Sequence, residues 1–326
     1  MRETEGTAHP RVRSVSFFIL LFPLSFLSVP AFAGSPAGAS GAQFLEIEPG
    51  ARPAGMGYAF AAVADDPNAV YYNPAGLGNL KHIEATGMED QYFQGVNYDF
   101  AALAVPISRL AKDSNANYGV AAASIYNLTV GGIPQRGTTE TLSPEGTFSS
   151  QDYAYAMSYA YALGDSGLSL GGTVKIVQSD LDGYNASGEA FDAGALYRKD
   201  KLSLAAGVRD LGPGYGFAGQ TDPLPRTWFL GAAYVILPGW TAAVEGDFPR
   251  DADPSYSFGT EYSYAFTKKI SGSLRGGYAS QNVDGGGYAG ATVGGGLGYG
   301  GVRFDFAFVP FGDLGNEYQY SLTMRF

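Results

Sequence analysis

The Gly-x-Gly-x-x-Gly spacing of dinucleotide-binding loops occurs twice in this sequence, at residues 285–290 and 296–301. In such a loop the glycines follow a strand and open a helix, whose N-terminus holds the pyrophosphate. Here ten of the 17 residues at 285–301 are glycine, and no helical pattern follows them. We therefore interpret them as glycines of crowded strands, where no side chain fits, and we predict no bound cofactor.

Pairs of acidic residues occur at 65–66, 180–182 and 251–253. A calcium-binding loop supplies more oxygen ligands than two carboxylates and closes with a glutamate, and none of the three pairs has that spacing. The sequence therefore predicts no metal site. We expect the first pair to cap a helix or a turn. The other two are expected in external loops, where they are solvated or hold divalent cations loosely.

Residues that could act as catalytic nucleophiles or bases are scarce. The chain has no cysteine, and His82 is the only histidine after residue 9. A Ser-His-Asp set would depend on His82, which lies at the start of the first predicted strand. We therefore predict a protein that is not an enzyme, with His82 at an interface or in a barrel lumen.

The composition excludes several classes of protein. The 326-residue chain contains 47 glycines, 23 tyrosines and 21 phenylalanines, and charged residues make up only 16 % of it. The high aromatic and low charged content argue against intrinsic disorder. The net charge of −11 argues against nucleic-acid binding, which requires a basic surface.

Residues 1–33 are predicted to be a signal peptide. Arg11 and Arg13 precede an apolar run at 17–29, and Ala-Phe-Ala at 31–33 offers small residues at the cleavage positions. A membrane anchor is the alternative, but it needs about 20 apolar residues to cross the bilayer as a helix. The remaining chain is therefore expected outside the cytoplasm.

From residue 81 onward, apolar and polar residues alternate with a period of two, which is typical of half-buried strands. In the last strand, apolar side chains occupy every second position from Tyr318 to Phe326. A length of about ten residues fits a tilted strand that crosses a bilayer. Fourteen strands are predicted, at residues 81–89, 97–106, 118–128, 151–162, 167–178, 189–198, 201–210, 225–236, 240–248, 255–265, 270–278, 287–298, 302–309 and 317–326.

The two faces of these strands distinguish a membrane barrel from a soluble β-sandwich. One face is large and aromatic, and the other carries small residues and scattered charges, the inverse of a soluble core. Because an unpaired sheet edge in hydrocarbon costs several kcal/mol per group, the sheet must close. The predicted fold is all-β: a transmembrane outer-membrane β-barrel of about 14 antiparallel strands at residues 81–326, contacting outer-membrane lipid as a monomer.

The predicted connections alternate in length. Short turns alternate with longer loops, apart from the long connection at 107–117, and this is the pattern of outer-membrane barrels with both termini in the periplasm. Trp228 and Trp240 are expected to flank the turn at 237–239 within an aromatic belt. The C-terminal Phe326 is similar to the signal by which barrel insertion machinery recognises its substrates.

Residues 34–80 form the predicted N-terminal plug, because they do not alternate and are rich in small residues and turns. A barrel of 14 strands has a lumen wide enough to hold such a segment. Four motifs stand in this region: Gly50-Ala51-Arg52, Gly55-Met56-Gly57, Ala64-Asp65-Asp66 and Asn73-Pro74-Ala75-Gly76-Leu77.

These motifs resemble the opening of the PorV/PorQ family, which is related to FadL-type hydrocarbon transporters. Blocks at 210–225 and 309–316 resemble later segments of that family. The resemblance implies an N-terminal hatch inside a barrel. Its implied site residues are Gly55, Met56, Gly57, Asp65, Asp66, Asn73, Pro74, Ala75, Gly76 and Leu77.

Three functions remain open at this point. The resemblance favours an accessory of a type IX-like secretion route that binds exported proteins at its extracellular rim. A FadL-like channel for small hydrophobic molecules is the second interpretation. A structural barrel without specific cargo is the third.

Overall fold

The computed structural model describes residues 38–91, 95–111, 117–138, 142–217, 219–285 and 288–326. The predicted signal peptide at 1–33 lies outside these residues, as do Gly286 and Gly287 of the glycine-rich segment.

Within the described ranges, fourteen antiparallel strands form a closed barrel. Each strand pairs with its neighbour in sequence, and β1 pairs with β14 to close the sheet. The strands are β1 Glu84–Gln91, β2 Val96–Pro106, β3 Val120–Gln135, β4 Gly146–Ala162, β5 Leu168–Leu181, β6 Tyr184–Lys199, β7 Leu202–Leu211, β8 Thr227–Leu237, β9 Trp240–Pro249, β10 Ser255–Ala265, β11 Ile270–Ala279, β12 Ala291–Tyr299, β13 Val302–Pro310 and β14 Asn316–Arg325. A small hairpin, Tyr215–Phe217 with Gln220–Asp222, lies between β7 and β8.

The predicted orientation of the two strand faces is confirmed. On β14, Tyr318, Tyr320 and Leu322 are exposed while the polar residues between them are buried. The N–H of Phe326 donates to the carbonyl of Ile83 at 2.8 Å, so the last residue continues the pairing between β14 and β1. The exposed face is therefore apolar and aromatic, and the polar face points into the barrel.

The two ends of the barrel differ as predicted. The short-turn rim carries the connections 163–167, 200–201, 238–239, 266–269 and 300–301. The long-loop rim is the opposite end. The long connection on the short-turn side contains a helix, Ile107–Leu110.

The prediction that Trp228 flanks the turn at 237–239 was wrong. Trp228 lies at the start of β8 and pairs with Phe248 at the long-loop rim, because the whole length of β8 separates it from that turn.

The predicted loop at 179–188 is also different, because β5 and β6 continue to a two-residue turn. Asp182 and Gly183 have φ angles of 51° and 81°. Positive φ at both central residues is the geometry of a type I′ turn, which matches the twist of a hairpin. The N–H of Gly183 donates to Asp180 Oδ1 at 3.1 Å. Asp180 and Asp182 therefore stabilise the turn, and this role explains their presence without a bound cation.

The plug, residues 38–80, passes through the lumen from one rim to the other. At the long-loop rim, the N–H of Gly41 donates to Pro223 at 2.9 Å. At the short-turn rim, Asn79 Nδ2 donates to Ser169 Oγ at 3.2 Å. The plug contains two α-helical turns, Ala51–Ala54 and Ala69–Tyr72, and two 3-10 segments, Gln43–Glu46 and Pro74–Asn79. No helix among the described residues is long and apolar enough to cross a membrane.

Glycines of the wall allow the plug backbone to pack directly against the strands. A Cβ at Gly277 would lie 2.1 Å from the backbone nitrogen of Gly57, and one at Gly294 would lie 2.9 Å from Cα of Gly55. Gly57 itself has a φ of 61° and its N–H donates to Thr292 Oγ1 at 3.0 Å. Among the glycines of 285–301, the interpretation as a crowded strand position therefore holds at Gly294, whereas a Cβ at Gly300 would meet nothing within 4 Å.

Replacing Gly277 by alanine tests this packing. We expect Gly277→Ala to lower the free energy of unfolding by about 1–3 kcal/mol, because the new methyl group meets plug backbone that has little room to move. The measurement is thermal unfolding of the purified barrel, followed by the heat-dependent shift in gel mobility.

The neighbouring residue supplies the control. A Cβ at Gly276 meets nothing within 4 Å, so Gly276→Ala is expected to leave unfolding unchanged or to stabilise the strand. Equal effects of the two substitutions would contradict close packing of plug and wall.

Candidate functional site: the interface between plug and barrel wall

A closed ring of six ion pairs joins the plug to the wall near the short-turn rim. Arg52 donates bidentately to Glu261 of β10, with Nε–Oε2 at 2.9 Å and Nη2–Oε1 at 2.8 Å. The ring contains Arg52–Glu261 at 2.8 Å, Glu261–Arg275 at 2.6 Å, Arg275–Asp305 at 2.9 Å, Asp305–Arg303 at 2.7 Å, Arg303–Asp66 at 2.7 Å and Asp66–Arg52 at 2.8 Å. Three arginines and three carboxylates alternate, so their formal charges cancel.

Burial makes this pairing necessary. The side chains of Arg52, Asp66 and Arg275 are exposed by only 7 %, 2 % and 1 %. A buried ion is costly unless it is paired and hydrogen-bonded. Burial alone would raise the pKa of Asp66, but Arg52 and Arg303 outweigh burial and lower the pKa to about 2. Asp66 therefore stays ionised and holds both arginines.

Asp66 also orders the turn that follows it. Its Oδ1 accepts hydrogen bonds from the backbone N–H of Asn68 at 3.0 Å and from Asn68 Nδ2 at 2.8 Å. Asp66 therefore caps a turn, as predicted. It also forms ion pairs with Arg52 and Arg303, which the sequence did not indicate. The adjacent Asp65 is half-exposed and pairs with Arg52 at 2.5 Å.

Asn73 holds the second half of the plug. Its Oδ1 accepts from the N–H of Ala75 at 3.1 Å, which caps the 3-10 segment beginning at Pro74. Its Nδ2 donates to Ala61 at 3.1 Å and to Ala195 of β6 at 3.2 Å. One amide therefore links two parts of the plug to the wall.

Small residues surround Asn73 for steric reasons. A Cβ at Gly171 would lie 2.4 Å from the carbonyl carbon of Pro74, and one at Gly76 would lie 2.1 Å from the carbonyl oxygen of Ala64. Met56, Ala75 and Leu77 are fully buried. The predicted motif residues thus form two contact regions: Gly55–Gly57 against β10, β11 and β12, and Asn73–Leu77 mainly against β4, β5 and β6.

Two further charged groups face the plug at mid-barrel. Lys175 pairs with Asp192 at 2.9 Å and with Asp210 at 2.7 Å. Glu245 accepts the backbone N–H groups of Phe60 at 2.9 Å and Ala61 at 2.7 Å. Lys175 therefore pairs with two carboxylates of the wall, and Glu245 holds plug backbone.

A polar cavity of about 340 Å³ opens where the plug meets the long-loop rim. Glu46, Glu48, Arg209 and Asn282 are among its lining residues. Burial, together with the nearby carboxylates Asp251 and Asp210, raises the pKa of Glu46 to about 7. This cavity is charged and does not suit a purely apolar molecule.

In the acidic pair at 251–253, Asp253 is exposed in a loop as expected, but Asp251 differs from its expected role. Asp251 is buried, and its Oδ2 accepts from the N–H of Ser40 at 2.9 Å and from Gln43 Nε2 at 3.0 Å. It therefore anchors the beginning of the plug and is not a solvated loop residue.

A second cavity, of about 310 Å³, is largely apolar. Its lining residues are Ala42, Gln43 and Phe44 of the plug, Leu128, Ser150, Asp152, Ser179 and Leu181 of the wall, and Tyr215 of the small hairpin. We name it the apolar cavity. It is formed jointly by plug and wall, so displacement of the plug would change its shape.

The structure brings together no catalytic set among the residues it describes. His82 lies at the short-turn rim with Nδ1 3.2 Å from Arg109 Nη2. The chain does contain one Gly-x-Ser-x-Gly sequence, centred on Ser169. That serine lies within strand β5, buried beneath Asn79, and not at the exposed strand-to-helix turn that a nucleophile requires.

Comparisons with known proteins agree with the fold. A model of the uncharacterised protein family UPF0164 matches residues 32–205, more than half of the chain. The toluene transporter TbuX of Ralstonia pickettii is similar with a TM-score of 0.56 and 14 % identity, covering 86 % of this chain and 99 % of that one. A comparison with curated proteins gave no match.

Two further solved structures share the architecture. The monoaromatic hydrocarbon channel CymD has a TM-score of 0.55 and 12 % identity, covering 85 % of this chain and 97 % of its own. The Pseudomonas putida toluene transporter TodX has a TM-score of 0.50 and 12 % identity, covering 78 % and 91 %. At these identities the likeness shows the barrel fold. The expected similarity to FadL-type transporters is therefore confirmed for the fold. The resemblance to PorV/PorQ stays a prediction.

The adjacent aspartates provide a matched test of the ion-pair ring. We expect Asp66→Asn to lower the free energy of unfolding by about 3 kcal/mol or more, because it leaves two arginines short of a buried partner. Asp65→Asn removes a half-exposed partner and is expected to cost less than about 1 kcal/mol. Thermal unfolding of the two variants in the same detergent measures both. A larger loss for Asp65→Asn would show that the ring does not hold the plug.

Proposed function

We propose that this chain, which belongs to the uncharacterised protein family UPF0164, forms an outer-membrane channel for small, mainly apolar molecules and is not an enzyme. The plug closes the lumen at rest, and the apolar cavity between plug and wall receives the transported molecule. The cavity is the observation that carries the proposal.

The outward surface supports a location in a membrane. Exposed strand residues such as Leu230, Leu274 and Leu297 have 58 %, 72 % and 68 % of their surface uncovered. A surface of this kind matches the apolar band of outer-membrane barrels. We further propose that the termini face the periplasm and that the long-loop rim faces outward, because short turns lie on the periplasmic side of such barrels.

The closed lumen limits what can pass. The plug contacts wall strands on opposite sides of the barrel, through Asp66 on β13 and through Asn73 on β6. Apart from Asp65, the plug residues from 52 to 73 are buried. A water-filled path of the kind found in large open porins is therefore not the proposed route, and passage depends on movement of the plug or of the adjoining wall.

The apolar cavity suits a small aromatic or aliphatic molecule. Phe44, Leu128 and Leu181 supply apolar surface, and Asp152 already accepts a hydrogen bond from Ser179. An apolar cavity of about 150 Å³ is enough to hold benzene, and this one is about 310 Å³. The solved structures of similar fold include proteins described as toluene transporters and monoaromatic hydrocarbon channels, which makes toluene a suitable probe.

The role in type IX-like secretion rests on motif resemblance alone. It predicts that the long-loop rim binds exported proteins. Recovery of secreted proteins sharing a C-terminal domain with the tagged barrel, without any bound lipophile, would favour that role over the channel.

Filling the apolar cavity tests the channel. The double variant Leu128→Trp/Leu181→Trp is expected to lower the initial rate of toluene uptake about tenfold, because two indole rings occupy space that the solute needs. Uptake of radiolabelled toluene by Gram-negative cells expressing the barrel measures this, with surface amounts matched between variants.

Leu103 and Leu170 face outward, exposed by 44 % and 47 %, and provide the matched control. Leu103→Trp/Leu170→Trp is expected to retain the wild-type rate, since indole rings suit a lipid-facing surface. If both double variants transport toluene as the wild type does, the apolar cavity is not the route.

A further inference from the structure

Two polar side chains of the apolar cavity, Asp152 and Tyr215, come from different parts of the chain. Asp152 of β4 pairs in the sheet with Leu128 of β3 on one side and with Ser179 of β5 on the other. Tyr215 belongs to the small hairpin and is 5 % exposed. All four residues line the cavity. The cavity therefore has polar groups beside its apolar surface.

The carboxylate of Asp152 has capacity to accept a further hydrogen bond. Ser179 Oγ donates to Oδ1 of Asp152. Among the described residues, no group donates to Oδ2, and no lysine or arginine pairs with Asp152. The inward Asp192, in contrast, pairs with Lys175. Because an ionised carboxylate can accept on both oxygens, Oδ2 of Asp152 is left for a donor that a bound molecule brings.

The hydroxyl of Tyr215 is held in place as a donor. A Cβ at Gly41 of the plug would lie 2.9 Å from Cδ1 of Tyr215, and one at Gly188 of β6 would lie 3.1 Å from Cδ2. The ring is therefore packed closely against backbone at both edges. Burial raises the pKa of the phenol, and the nearby Ser179 and Asp152 also act on it. The hydroxyl completes no hydrogen bond among the described residues.

We propose that the apolar cavity selects small molecules in which an apolar body carries one hydroxyl group, as in simple phenols. The hydroxyl of the bound molecule donates to Asp152 and accepts from Tyr215, while its apolar body lies against Phe44, Leu128 and Leu181. This inference rests on the proposed function, because it names the class of molecule that the same cavity receives.

The two protein groups together favour a hydroxyl over other polar groups. A hydroxyl both donates and accepts, so it matches a carboxylate acceptor and a phenolic donor at once. An ammonium group only donates, and it would leave the Tyr215 hydroxyl without an acceptor. Toluene can do neither, so its binding covers Asp152 without giving it a donor, which is costly. A site built to bind a hydroxyl discriminates strongly against the analogue that lacks it.

A comparison of p-cresol with toluene tests the selection, because p-cresol is toluene with one added hydroxyl. Equilibrium dialysis of the purified full chain in detergent, with each radiolabelled solute in sealed cells, measures binding in excess of partition into detergent alone. We expect the wild type to bind p-cresol about tenfold more tightly than toluene or better, since a hydrogen bond to a charged group contributes that much. Benzylamine, a cation of similar size, is expected to bind less tightly than p-cresol.

Two substitutions assign the selection to its residues. Tyr215→Phe removes only the hydroxyl, and Asp152→Leu removes the acceptor. Both are expected to weaken p-cresol binding while toluene binding is retained or improved, which a general loss of structure would not produce. Tyr184→Phe is the matched control, because Tyr184 is 65 % exposed and does not line the cavity. It should keep the wild-type ratio of the two affinities.

The outcomes separate this inference from the proposed function. Equal affinity of the wild type for p-cresol and toluene would overturn the selection and leave a channel for apolar molecules. Retention of the wild-type preference by either variant, or tighter binding of benzylamine, would overturn it as well. If the folded wild type binds none of the three solutes, the proposed function fails together with the selection.

Discussion

The structure depends on the cost of burying charge inside a barrel whose lumen is filled by protein. Arg52 and Asp66 bring two plug charges into this space, and Glu261, Arg275, Arg303 and Asp305 of the wall complete a neutral ring around them. Removing one member leaves its two neighbours buried and short of a partner, which is far more costly than losing a surface ion pair. The plug is therefore a fixed part of the barrel in its resting state.

Close backbone packing adds to this electrostatic constraint. The ring lies beside Gly55–Gly57, where wall glycines admit the plug backbone, and Asn73 makes a second attachment across the lumen at Ala195. The apolar cavity lies away from both, near the first described residues of the plug. A transported molecule could thus enter beside the plug's beginning while the two attachments stay intact, and passage beyond that point requires one of them to release.

The strands could be predicted from the sequence because alternation is local. β14, for example, alternates along its whole length, so its two faces were assigned correctly. The ring could not be predicted, since it depends on which strands lie adjacent to the folded plug. Inward charges such as Arg275 and Asp305 carried a signal, but nothing in the sequence indicated their partners. The turn at Asp182–Gly183 was missed because its strands extend beyond the apolar alternation. Trp228 was misplaced because it lies at the end of β8 that is far from the turn at 238–239.

Disulfide trapping of the plug against the wall tests the central claim most directly. The chain has no cysteine, and a Cβ built at Gly231 lies 3.4 Å from Cβ of Ala62, close to the separation in a disulfide. In native membranes, mild oxidation of Ala62→Cys/Gly231→Cys is expected to join the plug peptide to the β8 peptide, as seen by mass spectrometry. Ala62→Cys alone should remain a free thiol. If the double variant folds as a barrel yet stays uncrosslinked and freely reactive with maleimide, the plug does not occupy the lumen in the manner described.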